Sequence, residues 1–267
     1  MPSLRANDVE LYYETAGGGP PVLLIHGLGS STRDWEYQIQ EMAQSYRVIA
    51  VDVRGHGRSS KPHGPYSVAQ FAHDLATLLC RLNAAPAHLV GLSMGGMIAF
   101  QMAVDSPQVV RSLVIVNSGP AVVFRKISQR LLIRLRFGVV RLFGMRALGR
   151  MVARPVFPDA GQEHLRQKFM DSIAANDPRA YLDSLRAIVG WSVEDRISGI
   201  RCPVLVVSSD QDYTPVDFKR EYAAKIPGAE VAVIENSRHV APMDQPTEFN
   251  HLVLDFLESA QADTIPG

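Results

Sequence analysis

The sequence predicts an α/β fold: a mostly parallel central sheet, covered by helices on both faces, with a helical segment inserted in its second half. Two observations carry this. Short runs of consecutive apolar residues, rich in Val and Ile, recur along the chain as expected of strands buried on both faces. Between them lie segments whose apolar residues repeat at helical spacing, the alternation that builds parallel sheets. The 267 residues, 46% of them hydrophobic and 20% charged, suffice for one such core with an insertion. A formal net charge of +0 argues against nucleic acid as the main partner.

Element by element, Leu4 to Tyr13 reads as a hairpin turning at Asn7-Asp8, with Val9, Leu11 and Tyr13 on one face. Buried strands follow at Val22–Ile25, Val48–Val51, Leu89–Val90, Leu113–Val116, Val204–Val207 and Val231–Ile234. Helices are predicted over Val68–Leu82, Met97–Val104, Asp217–Lys225 and Pro246–Ala260. From Gly119 to Gly190 the pattern is helical throughout, so residues 1–118 and 191–267 are expected to form the core and 119–190 a lid over the C-terminal strand edge, where open α/β sheets bind ligands. Cys80 and Cys202 are far apart, without metal-ligand spacing, and read as free core thiols. No signal-peptide pattern and no membrane span are seen, which makes the cytoplasm the expected location.

The most informative motif is Gly91-Leu92-Ser93-Met94-Gly95-Gly96, directly after the apolar His88-Leu89-Val90 and before the helical Met97-Ile98-Ala99-Phe100. A strand, a tight turn with serine at its apex and a helix form the G-x-S-x-G nucleophile elbow. Gly91 and Gly95 flank Ser93 because a Cβ there would strike the neighbouring strand or helix. A serine hydroxyl needs a base in hydrogen-bond reach, itself oriented by an acid. With this elbow the chain order is nucleophile, acid, histidine. Of the downstream histidines, His239 stands in the loop after the last strand, whereas His164 falls in the insertion and His251 in the final helix. The acid comes from Ser208-Ser209-Asp210-Gln211-Asp212-Tyr213-Thr214-Pro215 after the preceding strand. Asp212, further out along the loop, is favoured, and Asp210 is the alternative; the earlier strand ends in Asn117, which cannot stabilise an imidazolium by charge. The oxyanion donors expected are the backbone N–H of Met94, at a helix start, and that of Leu28 in His26-Gly27-Leu28-Gly29. His26, Asp52 and His56 read as structural, bracing two strand-end turns.

In His26-Gly27, the Asp52–Ser59 turn, the Gly91–Gly96 elbow, Asp212 and His239, taken in order and over nearly its whole length, the chain resembles the α/β-hydrolase superfamily. The resemblance implies the α/β-hydrolase fold with an inserted lid, Ser93 as nucleophile, Asp212 as acid, His239 as base, and no metal or organic cofactor. Ser93 argues against haloalkane dehalogenases and epoxide hydrolases, whose elbow carries aspartate. Among serine members the chain is similar to carboxylesterases and 3-oxoadipate enol-lactonases, which often read G-L-S-x-G-G. Cofactor-free perhydrolases and C–C bond hydrolases are alternatives, as is a ligand-binding receptor with a vestigial triad. The expected substrate is a small ester or lactone. One departure is Ser209, where many relatives have glycine.

The insertion is strongly basic. No acidic residue occurs between Ser106 and Pro158, while Lys126, Arg130 and Arg134, then Arg146, Arg150 and Arg154, recur every fourth position. Leu131, Leu132, Leu135, Val139, Val140, Leu142 and Phe143 fill the intervening positions. The favoured reading is a pair of lid helices with the apolar face on the substrate pocket and the basic face in water. Contact with anionic lipid is the sharper alternative.

Overall fold

The computed structural model describes residues 2–123 and 127–262. Among them, eight strands form one sheet: β1 (Ser3–Ala6), β2 (Val9–Ala16), β3 (Pro21–Ile25), β4 (Arg47–Val51), β5 (Ala87–Leu92), β6 (Val110–Val116), β7 (Val204–Ser209) and β8 (Glu230–Ile234). Their order is β1-β2-β4-β3-β5-β6-β7-β8. The β1–β2 hairpin turns where Asn7 takes φ 57, and β2 pairs antiparallel with β4. From β4 across to β8 every pairing is parallel.

The apolar runs work as strands because alternate residues feed two separate cores. Leu23, Ile25, Leu89 and Ile115 pack with Phe71 and Leu75 of α2 (Val68–Arg81) and Ile98 and Met102 of α3 (Met94–Asp105). Val22, Leu24, Val90 and Val116 face Met42 of α1 (Glu36–Met42) and Phe249 and Val253 of the last helix.

Between β6 and β7 stand α4 (Ile127–Val156), α5 (Glu163–Ala174) and α6 (Pro178–Ile188), with their own cluster of Val140, Leu148, Ile173, Tyr181 and Leu185. The chain enters and leaves this insertion through a narrow neck. Ala121 bridges Ser192, the Val122 amide donates to Trp191 at 2.8 Å, and the Val193 amide donates to Pro120 at 2.8 Å. Helix α4 is two helical pieces joined at Gly144, whose φ of 74 and ψ of −178 break the hydrogen-bond ladder. Beyond β7 follow α7 (Val216–Ala223), the short α8 (Ala241–Asp244) and α9 (Pro246–Ala262).

The insertion differs from expectation in the direction its apolar residues face. Ile133, Phe137, Val139 and Val140 pack inward, yet Leu131, Leu132, Leu135, Leu142 and Phe143 are exposed. The reason is geometric: on a 3.6-residue helix Leu131, Leu135 and Leu142 fall on one stripe, away from the stripe of Ile133, Phe137 and Val140. Arg130, Arg134, Arg146, Arg150 and Arg154 are exposed as expected, and Lys126 lies outside the described residues. Cys80, read as a core thiol, is exposed near the end of α2, and Cys202 is half-buried.

Candidate active site

The turn from β5 into α3 forces Ser93 into φ 54, ψ −113, a conformation that L-residues rarely hold. Crowding enforces it. A Cβ on Gly91 would lie 2.4 Å from the Gly95 carbonyl oxygen, and one on Gly95 would lie 2.0 Å from that of Ile25. The first would force the start of α3 away from β5, and the second would push the elbow away from β3. The Ser93 amide donates to Val116 at 2.9 Å, and the Ser118 hydroxyl donates to the Ser93 carbonyl at 2.7 Å. The elbow is therefore strapped to β6 from both its peptide groups.

Met94 is the first residue of α3, so its amide lies at the positive end of the helix dipole. The His26–Gly29 loop after β3 passes against the nucleophile: a Cβ on Gly27 would sit 3.5 Å from Ser93 Cβ. His26 braces this loop, as read from the sequence. Its Nδ1–H donates to the Gly27 carbonyl at 2.7 Å while Nε2 accepts the Val53 amide at 3.0 Å. Complete burial pushes His26 down to about 4, so it stays neutral and keeps this tautomer at pH 7. His56 is pushed down to about 3 by burial, with the neighbouring His26 adding to the effect. Asp52 accepts the amides of Thr32 and Arg58, both at 2.7 Å, tying two turns together. Asn176, from the insertion, donates to the Gly29 carbonyl at 2.7 Å and fastens the insertion to the same loop.

On the far side of Ser93, β7 and β8 deliver the other two groups. Asp212 Oδ1 accepts from His239 Nδ1–H at 2.8 Å. Its Oδ2 accepts from Lys219 Nζ at 2.6 Å and from the Thr214 hydroxyl. The Asp212 and Lys219 side chains are both fully buried. Burial alone would raise the Asp212 carboxyl, but the His239 hydrogen bond and the Lys219 charge outweigh it and hold Asp212 well below the usual carboxylate range. Burial lowers Lys219, opposed by Asp212. Asp210 has a different task. Exposed, it accepts the Ser237 amide at 3.0 Å and shapes the loop that carries His239. His164 and His251 are exposed, and His251 pairs with Asp255 at 3.1 Å. Among the described residues no cluster of His, Cys, Asp and Glu has the makeup of a metal site.

Three participants escaped the sequence reading. Lys219 lies one turn into α7, and only the fold shows that this turn points back to Asp212. Asn117, with φ 44 at the end of β6, joins three loops. Its Nδ2 donates to Ser209 Oγ at 2.8 Å and to the carbonyls of Arg238 and His239 at 3.1 and 3.0 Å, and its Oδ1 accepts the Ser209 amide at 2.9 Å. This explains the unusual Ser209, whose hydroxyl also meets Ser237 Oγ at 3.0 Å. The third is Tyr213. Its ring stacks on the His239 imidazole, with centroids 4.0 Å apart, and its hydroxyl donates to Nε2 at 2.5 Å. Adjacency to Asp212 was the available signal, and a tyrosine there reaches the histidine.

Comparison with known proteins agrees with this architecture. A model of the alpha/beta hydrolase fold matches residues 20–246. The 3-oxoadipate enol-lactonase 2 of Acinetobacter baylyi is 30% identical over 94% of this chain and 94% of its own length. A putative carbamate hydrolase of Azorhizobium caulinodans is 30% identical over 96% of this chain and 98% of its own. In structure, the enol-lactonase from Burkholderia xenovorans superposes with a TM-score of 0.89 at 27% identity, covering 96% of this chain and 100% of that one. With fold, elbow and relatives in agreement, the chain belongs to the α/β-hydrolase family and is an enzyme acting on ester-type bonds.

Proposed function

We propose that the protein is a serine hydrolase of carboxylic esters or lactones, with Ser93 as nucleophile, His239 as base and Asp212 as the orienting acid. The observation that carries this reading is the 2.8 Å bond between Asp212 and His239 Nδ1, at a loop facing a serine held in a strained elbow. Asp212 fixes the tautomer that leaves Nε2 free to accept a proton. Ser93 Oγ attacks the acyl carbonyl as its proton passes to Nε2. The tetrahedral oxyanion is met by the amides of Leu28 and Met94, each donor worth roughly 10²–10³ in rate. His239 then protonates the leaving alkoxide, and water hydrolyses the acyl-enzyme by the same route in reverse. Tyr213 gives up Nε2 in the first step, since one lone pair cannot serve both hydroxyls. Residues 119–190 act as the lid that shapes the pocket, and the enol-lactonase relatives favour a small acyl or lactone substrate.

The test combines turnover of a p-nitrophenyl ester with labelling by a fluorophosphonate. Ser93→Ala should abolish labelling and lower kcat by on the order of 10⁴-fold, with the thermal unfolding midpoint unchanged. Turnover within tenfold of the parent would remove Ser93 from the mechanism.

A further inference from the structure

The outer side of the lid is built in a way that the ester chemistry does not require. Along the first piece of α4, Ile127, Leu131, Leu135 and Leu142 are 77%, 60%, 53% and 76% exposed, and at helical spacing they form a single stripe. Beside it runs a second stripe of Arg130, Arg134 and Arg141, all exposed and, among the described residues, in no ion pair. Burying several large apolar side chains would be the ordinary outcome for a helix with a packed neighbour. Here the packed side is already supplied by Ile133, Phe137 and Val140. The helix thus has two apolar sides, and one is left to water.

Charge identifies what fits the second side. Residues 106–158 hold ten of the 27 basic residues and none of the 27 acidic ones, so the remaining chain carries seventeen basic against 27 acidic. The molecule is neutral overall but polarised, positive around the lid and negative elsewhere. A second copy docked on the same stripe would bring arginine against arginine. An anionic lipid surface would attract the lid and repel the rest, orienting the protein with the lid down.

From this juxtaposition of an exposed leucine stripe and an unpaired arginine stripe we infer that the outer face of α4 docks at the surface of anionic membranes. The helix lies in the plane of the interface, its leucines at the headgroup–acyl boundary and its arginines at the phosphates. It does not span, since no helix among the described residues is long and apolar enough to cross a bilayer. The inference is independent of which ester the active site cleaves.

Sedimentation with vesicles of phosphatidylcholine alone, or with added phosphatidylglycerol, tests it on the full chain. Binding should require the anionic lipid and weaken sharply at 1 M salt, where the Debye length falls to about 3 Å. Arg130→Gln, Arg134→Gln and Arg141→Gln together should cost on the order of 100-fold in partitioning, at about fivefold for each charge. Leu131→Ser, Leu135→Ser and Leu142→Ser together should cost more than tenfold at unchanged net charge. Hydrolysis of a soluble short ester within twofold of the parent shows that each variant is folded, and the arginine set carries the test if the leucine set is not. Absence of binding, equal binding to both vesicle types, or binding that survives the arginine changes would overturn the inference. So would a parent dimer in solution that the leucine changes dissociate, because the stripe would then be a contact between copies.

Discussion

The two sides of the active site are built on opposite plans. Its floor, from β5 to β8, holds charge in fixed pairs. Asp212 is buried between His239 and Lys219, and Asn117 joins the ends of β6 and β7 to the His239 loop. Helix α4 of the insertion, the roof in the proposed reading, holds arginines outside any ion pair among the described residues and apolar side chains in water. A floor made this way fixes the geometry of reacting atoms, because each group already has its partner before substrate arrives. A roof made this way leaves contacts open for something outside the chain. Both belong to one enzyme, and the sharpest tests are those that strike one plan and spare the other.

The largest effect should come from breaking the floor at its centre. Asp212→Asn keeps the shape but offers His239 an amide, which permits the wrong tautomer. Ester hydrolysis should fall roughly 10³- to 10⁴-fold. Asp210→Asn, which alters an exposed side chain that accepts the Ser237 amide, should cost less than tenfold. The reverse order in kcat would assign the acid to Asp210.

Acid should separate the two plans next. His26 and His56 are buried neutral, at about 4 and about 3 against 6.5 when unfolded. Between those values the unfolded chain binds protons that the folded chain does not, so stability is full above pH 6.5 and declines as pH falls toward 4. Urea midpoints measured from pH 7 to pH 4 should drop steeply through that window, with the slope reduced in His56→Asn. A slope unchanged in His56→Asn would mean that this ring does not titrate on unfolding.

The smallest effect belongs to the group standing between floor and roof. Tyr213→Phe removes the hydroxyl that competes for His239 Nε2 while keeping the ring on the imidazole. One neutral hydrogen bond less should raise the fluorophosphonate labelling rate of the free enzyme by about three- to tenfold. A slower rate would make the hydroxyl an aid to Ser93 rather than its competitor.

The division between floor and roof also marks how far the sequence could be read. Strand runs, the elbow glycines and the order of Ser93, Asp212 and His239 were visible because each is local: a few adjacent residues state a turn or a strand end. Lys219 was missed since only the fold turns α7 back onto Asp212, and Asn117 since its role arises from strands meeting across the sheet, Asn117 lying 92 residues from Ser209 and 122 from His239. The lid failed for another reason. Its helical period was plain, but a period does not say which of two apolar stripes turns inward, and the leucines expected at the pocket face solvent instead. Cys80 was misplaced for the same reason: near the end of α2, its direction was set by packing rather than by residue type.

The bond from Asn176 to the Gly29 carbonyl gives the lid a mechanical consequence. The loop carrying Leu28 is held at one end by His26 and at the other by the insertion itself. Any displacement of the insertion would therefore loosen one anchor of that loop, and its return would restore the anchor. Under the proposed mechanism the Leu28 amide is thus braced from both ends only while the insertion is seated, so the same contact that closes the insertion down also completes the oxyanion donor's support.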